Sequence, residues 1–241
     1  MRIQFSSLIY LRDIKTFITY FFITPIIQMI LFVLINQQYS STIDYNIALS
    51  SVFISANASA INTINQLLVT DKVLGIHTEM IVHKPYAIKY WFDKIATVYF
   101  SSLLLFLINI CILAIFGVTS NQMYSAIALL PFSILYSLLI GIIAFYLAIN
   151  MSNIYFFNNI FMNILPIISG LAIPIATYPV IFKNFSMLFP YGQLLTAIHT
   201  NQVVFVPLLT HFVIVGLISA LLYRYRIAFQ KKGSFTNSVG K

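Results

Sequence analysis

The residues of this chain that could take part in acid–base or metal chemistry are few, and their spacing does not fit a catalytic site. The acidic residues are Glu79 and four aspartates, and all of them lie outside the long apolar runs. His77 and His83 are six residues apart, whereas histidines that bind zinc from one helix are four apart. The phosphate-binding pattern G-x-x-x-x-G-K-[ST] does not occur. We therefore expect no catalytic site, metal or bound cofactor in this chain, and any work against a gradient must draw on another polypeptide.

The elements that position these residues are membrane helices. The chain is 60% hydrophobic and 7% charged, with a mean hydropathy of +0.94, whereas soluble domains carry about 25% charged residues. Runs of roughly 20 apolar residues, enough to cross a bilayer, recur along the sequence. We therefore predict an all-α, multi-pass membrane protein with one domain over residues 1–241, and the abundance of Ile, Asn, Phe and Tyr favours a bacterial plasma membrane.

Six transmembrane helices are predicted, and their flanking charges give an orientation. The spans cover residues 17–36, 47–69, 95–116, 126–149, 156–175 and 203–225. Basic residues precede the first span, lie between the second and third, and follow the sixth, which the positive-inside rule makes the cytoplasmic side. Both termini are then cytoplasmic, with a tail at 226–241. Because the net charge of +8 lies beside apolar runs, it indicates orientation and not a nucleic-acid partner.

Polar side chains within two spans form stripes along one helical face. The residues of the second span are Ser55, Ser59, Asn62 and Gln66, at spacings of four, three and four. Asn159 and Asn163 share a face of the fifth span. Such stripes fit either hydrogen bonding between packed helices or the wall of a polar pathway, and a stripe of this length exceeds the need of one packing contact. His211 is a lone histidine in the sixth span, where a hydrogen bond to a neighbouring helix is the usual role.

The connection between the second and third spans is unusually charged. Seven charged residues lie between Val69 and Ile95. They could anchor the flanking spans at the membrane surface, or they could bind a partner through charge-assisted contacts that involve Glu79, Lys84 and Lys89. Anchoring does not require a loop of this length, so we favour the partner.

Two groups of residues resemble a known family. The charged loop contains, in order, Asp71, Gly75, the apolar run EMIV, Pro85 and Lys94. The connection after the fifth span contains Ser169, Gly170, Pro174, Pro179 and Pro190. With six spans and both ends inside, this pattern resembles the type 2 ABC-transporter permeases, which are membrane subunits of exporters for drugs, peptides and polysaccharides.

The resemblance implies an interfacial segment at 1–16, a coupling helix within the loop 71–94, and a re-entrant outer hairpin at Pro174, Pro179 and Pro190. It implies a separate cytoplasmic ATP-binding subunit, which would hold ATP and Mg and dock on the coupling helix. The residues assigned to that contact are Asp71, Gly75, His77, Glu79, Met80, His83, Lys84 and Pro85. A second permease copy or a homologue would complete a dimer in membrane lipid, with spans two and five along the path.

The leading hypothesis is an export permease for an amphipathic or hydrophobic cargo, such as a bacteriocin or toxin peptide. The cargo follows from a predicted path that is short of charge and rich in Phe, Asn and Ser. The alternative is a membrane protein that does not transport, such as an immunity protein, a scaffold or a sensor that binds a peptide or lipid. An intramembrane hydrolase is disfavoured, because the spans contain no acidic partner for His211.

Overall fold

Helices are the only regular secondary structure in the residues that the computed structural model describes, which are 8–40, 45–115, 119–202 and 205–239. The α-helices, in chain order, are α1 (Ile9–Arg12), α2 (Ile14–Ile18), α3 (Thr24–Ser40), α4 (Tyr45–Val73), α5 (Ile76–His83), α6 (Ile88–Ile115), α7 (Ser120–Ala148), α8 (Phe156–Ile168), α9 (Val180–Ser186), α10 (Tyr191–Thr200) and α11 (Phe205–Val239). A π-helical turn, Thr19–Ile23, joins α2 to α3 without a break. The prediction of an all-α chain is confirmed for this part of the sequence.

Within the described residues, five helical stretches are long and apolar enough to cross a membrane. They are Ile14–Gln38, Asn46–Val73, Ile88–Ala114, Ser120–Ala148 and Phe205–Gln230. The predicted span 156–175 is shorter in the structure, because α8 ends at Ile168 after 13 residues. That is about 20 Å of helix, less than the roughly 30 Å of a hydrocarbon core. The helix stops where Gly170 adopts a positive φ of 77° and the amides of Leu171 and Ala172 both donate to the Pro166 carbonyl.

Helix α4 is the centre of the bundle. It packs against α3, α6, α7 and α8, and 78% of its most apolar stretch is buried. Its contact with α7 is close, because a Cβ placed on Gly141 would lie 2.8 Å from the Ile61 carbonyl oxygen. Small residues allow membrane helices to approach in this way. In contrast, α11 and the helix of residues 14–38 lie at the periphery, where 11% of the corresponding stretch is buried.

Side-chain contacts define two ends of the bundle. At one end, which we call the basic end, Lys72 donates to the Ile149 carbonyl and Arg226 Nη1 donates to Asn150 Oδ1 at 3.2 Å. At the other, the hairpin end, Ser125 Oγ donates to Asn201 Oδ1 at 2.6 Å. Residues 150–201 therefore run from the basic end to the hairpin end, through α8, a 3₁₀ turn (Ile175–Thr177), α9 and α10.

The two ends of the chain differ from their predicted outlines. The segment 1–16 is described only from residue 8 onward. There, the Tyr10 hydroxyl lies 2.7 Å from Thr63 Oγ1 of α4 and accepts from Ser101 of α6 at 3.3 Å, so this part packs into the bundle. Asp13 caps α2 by accepting the Thr16 amide at 3.0 Å. The predicted tail 226–241 begins inside α11, which continues to Val239, and residues 240–241 lie outside the described part.

Candidate functional site

A buried ion pair joins the two ends of the 71–94 loop. Lys94 Nζ lies 2.8 Å from Asp71 Oδ2, and only 1% of the Lys94 side chain is exposed. The same ammonium donates to the Leu67 carbonyl at 3.3 Å, and the Tyr90 hydroxyl donates to Asp71. Asp71, predicted to touch an ATP-binding subunit, is thus already bonded within the chain. The pair fixes α4 to α6 at the point where the loop leaves and re-enters the bundle.

The backbone of the loop forms a short helix between two sharp boundaries. Gly75 has a φ of 77°, a left-handed conformation that glycine adopts without strain, and α5 begins at the next residue. The helix ends at His83, and Lys84 leaves helical geometry directly before Pro85, as expected because a proline disfavours the α conformation in the residue that precedes it. The loop therefore contains a short helix whose boundaries lie at Gly75 and Pro85.

The two faces of α5 differ in character. His77 and Ile81, four residues apart, are 1% and 0% exposed and face the bundle. Met80 is half-buried, whereas Glu79, His83 and Lys84 are exposed. Ile76, which is 45% exposed, lies one turn before Glu79 on the same helix. Of the predicted contact residues, His77 therefore anchors the helix, while Glu79, His83 and Lys84 form its free surface.

His77 is buried without a hydrogen-bond partner among the described residues. Both ring nitrogens are unbonded, and the ring packs against Phe145 and Tyr146 of α7 at centroid distances of 5.2 and 5.9 Å. Burial lowers the pKa of His77 to about 4, against an opposing effect of the Asp71 carboxylate. The ring is therefore neutral and acts as an apolar anchor near neutral pH.

Acidification is expected to weaken the attachment of α5. The pKa of His77 is about 4 in the folded protein and 6.5 when the ring is exposed. Between these values the unfolded state binds more protons, so stability falls as the pH falls from about 6.5 to about 4, by on the order of 3 kcal/mol in all. Thermal unfolding of the purified protein across this range measures the loss.

Two substitutions separate this effect from general acid sensitivity. His77→Phe keeps an aromatic ring against Phe145 and cannot be protonated, so the loss in this pH range should become smaller. His83→Phe removes an exposed histidine from the same helix and should leave the pH dependence as in the wild type. An equal pH dependence in His77→Phe and the wild type would show that His77 is not the titrating group.

An aromatic cluster connects the loop to α11. The Tyr223 hydroxyl donates to the Pro85 carbonyl. The Tyr223 ring meets Trp91 at 5.3 Å, Tyr146 at 5.8 Å and Tyr86 at 6.3 Å between centroids. Since Tyr146 also contacts His77, the cluster joins α5, α6, α7 and α11 at the basic end. The C-terminal end of α5 is thereby bonded to the last helix of the bundle.

The polar stripe of α4 is divided between two neighbours. Ser55 donates to Gln28 Oε1 at 2.9 Å, and Ser59 Oγ lies 2.9 Å from the Tyr20 hydroxyl. Both contacts join α4 to the peripheral helix of residues 14–38, as expected of helix packing. Asn62 instead accepts from Asn158 Nδ2 of α8 at 3.2 Å.

The remaining polar residues of the two predicted stripes are partly or fully exposed. Gln66 is half-buried, while Asn159 and Asn163 of α8 are exposed. The exposed amides share the surface of α8 with Phe156 and Ile167, which are 46% and 47% exposed. Polar side chains on an apolar, membrane-embedded surface are costly unless a partner or water satisfies them. The face of α8 that turns away from α4 is therefore a candidate contact or pathway surface.

Comparison with protein-family models, with curated proteins and with solved structures finds no match.

The three prolines of the predicted outer hairpin start three short elements. Pro174 precedes the 3₁₀ turn, Pro179 precedes α9 and Pro190 precedes α10. These pieces and the start of α11 surround a cavity of about 560 Å³, which Met187 and Pro207 help to line. His211 Nε2 lies 3.0 Å from the Met187 carbonyl oxygen, and Nδ1 lies 2.6 Å from the Pro207 carbonyl oxygen. The ring therefore joins α11 to the segment that follows α9, in agreement with the hydrogen-bonding role predicted for it.

One buried network had no counterpart in the sequence-based predictions. Ser137 Oγ donates to Asn57 Oδ1 at 2.8 Å and lies 2.8 Å from the Tyr191 hydroxyl, which joins α4, α7 and α10. Asn57 lies off the predicted stripe. The partner residues Tyr20, Asn158 and Tyr223 were likewise not predicted, because a single tyrosine or asparagine in an apolar run has no periodic neighbour to mark it. Among the described residues, no group of three or more His, Cys, Asp or Glu side chains is placed to hold a metal ion.

Proposed function

We propose that this chain is the membrane permease of an ATP-driven exporter and that α5 docks a separate ATP-binding subunit. The observation that carries the proposal is the two-sided character of α5. Its inner face is fixed by His77 and Ile81, while Glu79 and Lys84 are exposed and form no ion pair within the described part. A helix that is held firmly and presents free charges is suited to receive force from a partner at the cytoplasmic side.

The connections of α5 support a coupling role. Its first turn contacts α7 through His77, and the Pro85 carbonyl that follows its last turn accepts from Tyr223 of α11. The Asp71–Lys94 pair holds the base of the loop closed. A displacement of α5 by the partner would therefore reach α7 and α11 directly. ATP and Mg belong to the partner subunit in this proposal.

The exposed amides support a second subunit and a path. Asn159 and Asn163 would face lipid in an isolated chain, and a second permease copy or a homologue would cover them. Asn159 and Asn163 on α8, with Asn62 and Gln66 on α4, are amides with no charged residue among them, which suits an amphipathic or hydrophobic cargo such as a peptide toxin. The path would then run at the plasma membrane between two copies of α4 and α8.

Copurification tests the docking surface. Glu79→Lys and Lys84→Glu reverse exposed charges and leave His77 and Ile81 in place, so folding should be unchanged. Each charge-assisted contact is worth about 1.5–3 kcal/mol, so each reversal should weaken copurification of a co-expressed ATP-binding subunit by about tenfold or more. Lys183→Glu, which reverses an exposed charge in α9, is the matched control.

Two outcomes would contradict the proposal. Full retention of the ATP-binding subunit by the Glu79→Lys, Lys84→Glu double variant would show that α5 is not the docking site. Recovery of no such subunit with the wild-type chain would favour the immunity, scaffold or sensor alternative.

A further inference from the structure

A second, apolar cleft lies at the basic end between α6 and α11. It has a volume of about 500 Å³, within the range of small-molecule sites. Trp91, Phe92 and Ile95 form the α6 wall, and Ser219, Ala220 and Tyr223 form the α11 wall. The small side chains of Ser219 and Ala220 keep the two helices from filling the space between them. The sequence of α11 therefore leaves an apolar opening beside the aromatic cluster.

The cleft lies at the first turns of α6, where exposed apolar side chains form its rim. Phe92 is 62% exposed and Ile88 is 84% exposed on its rim, and Ile88 begins the stretch of α6 that is able to cross a membrane. Tryptophan and tyrosine concentrate at the headgroup level of membranes. Trp91, Tyr86 and Tyr223 thus place the cleft beside lipid headgroups and upper acyl chains.

The rim of the cleft carries free cations. Arg224 is exposed and lies four residues after Ala220, which puts it on the same face of α11, one turn beyond the cleft. Lys84 is also exposed and directly precedes Pro85, whose carbonyl accepts from the cleft residue Tyr223. The nearby carboxylate of Asp71 is bonded to Lys94 and Tyr90. An apolar cleft with cations at its outer rim is complementary to an acyl chain that ends in a negatively charged headgroup.

We propose that this cleft binds an anionic phospholipid, with an acyl chain between Trp91 and Ala220 and the phosphate at Arg224 and Lys84. The lipid would pack against Tyr223 and so support its bond to Pro85 at the end of α5. Lys84 also belongs to the proposed docking surface of α5, whereas Arg224 and the α6–α11 cleft belong to the lipid site alone, so the site is tested on this chain without an ATP-binding subunit.

Trp91 allows a direct test, because it is the chain's single tryptophan and it lines the cleft. The full-length protein is placed in vesicles that contain both phosphatidylcholine and phosphatidylglycerol. In one preparation the phosphatidylglycerol is brominated on its acyl chains, and in the other an equal fraction of the phosphatidylcholine is brominated instead. Bromine quenches a tryptophan that it touches. At equal fractions of brominated lipid, phosphatidylglycerol should quench Trp91 more strongly than phosphatidylcholine does.

Substitutions test separately whether the basic rim residues cause the preference for phosphatidylglycerol and whether the acyl chain enters the cleft. Arg224→Gln and Lys84→Gln should each lower the preference for phosphatidylglycerol about fivefold, the factor given by about 1 kcal/mol per basic residue. Ala220→Leu fills the cleft and should reduce quenching by both lipids. Matched controls are Lys183→Gln and Ala114→Leu, which change an exposed lysine and an exposed alanine far from the cleft.

Three results would overturn the site. One is equal quenching of the wild type by both lipids, and another is a preference that survives the Arg224→Gln, Lys84→Gln double variant. The third is a Trp91 that no brominated lipid quenches, which would show that protein covers the cleft. Arg224 and Lys84 are exposed, so the rim variants remain informative even if Ala220→Leu fails to fold.

Discussion

Asp71→Asn is expected to destabilise the protein more than Lys94→Met, although the two residues form one ion pair. Removing one member of a buried pair costs about 3–5 kcal/mol, because the other charge is left without its partner. Lys94 is 1% exposed, whereas Asp71 is 15% exposed and also accepts from Tyr90. The ammonium stranded by Asp71→Asn therefore has less access to water than the carboxylate stranded by Lys94→Met. The fraction of protein that stays monodisperse after heating, compared across both variants and the wild type, measures this order.

A double variant tests whether charge or packing is responsible. Asp71→Leu with Lys94→Met leaves no charge behind and should recover much of the lost stability, as apolar replacements of buried pairs often do. Lys89→Met, an exposed lysine on the same helix, should be close to neutral. If the double variant is as unstable as the sum of the two single changes, the pair does not act as a unit.

The long helices and the loop boundaries could be predicted because they depend on local signals. Five of the six predicted spans coincide with long apolar helices of the described residues, and α7 passes through Pro131 without a break. Gly75 and Pro85 act on the backbone of their own neighbours, so the ends of α5 were visible in the sequence. The inner face of α5 could not be predicted in this way, because no local signal distinguishes the buried His77, which packs on Phe145, from the exposed His83.

Two differences remain, one that arises from local backbone conformation and one that arises from contacts between distant residues. The run 156–175 has the composition of a span, yet α8 stops at Ile168 because Pro166 and the left-handed Gly170 allow the chain to turn. The stripe of α4 has one periodicity, but its residues are shared between two neighbours, with Ser59 on Tyr20 and Asn62 on Asn158. Helical spacing predicts the helix face on which a residue lies, but it does not predict which neighbouring residue the side chain contacts.

If this chain is the permease proposed above, the double substitution Asn159→Leu, Asn163→Leu is expected to abolish most transport while leaving the protomer folded. Both amides are exposed in the isolated chain, and substitutions at exposed positions usually change stability by no more than about 0.5 kcal/mol. Asn57→Leu is the contrasting control, because it breaks the buried bond to Ser137 and should cost about 1–3 kcal/mol. Thermal unfolding of the two variants should therefore separate an exposed amide from a buried one.

Dimer content and transport, measured in parallel, then decide what the exposed amides do. Hydrogen bonds between membrane helices average about 0.6 kcal/mol each, so losing the two amides should leave most of the dimer intact. If Asn159 and Asn163 line a path, leucine removes polar contacts for the cargo and narrows the route, and export or cargo-stimulated ATP hydrolysis falls in a preserved dimer. If they only join two subunits, the dimer is lost and each remaining dimer transports normally. The second pattern would refute the path along α8, whereas the first would place the cargo between two copies of this helix.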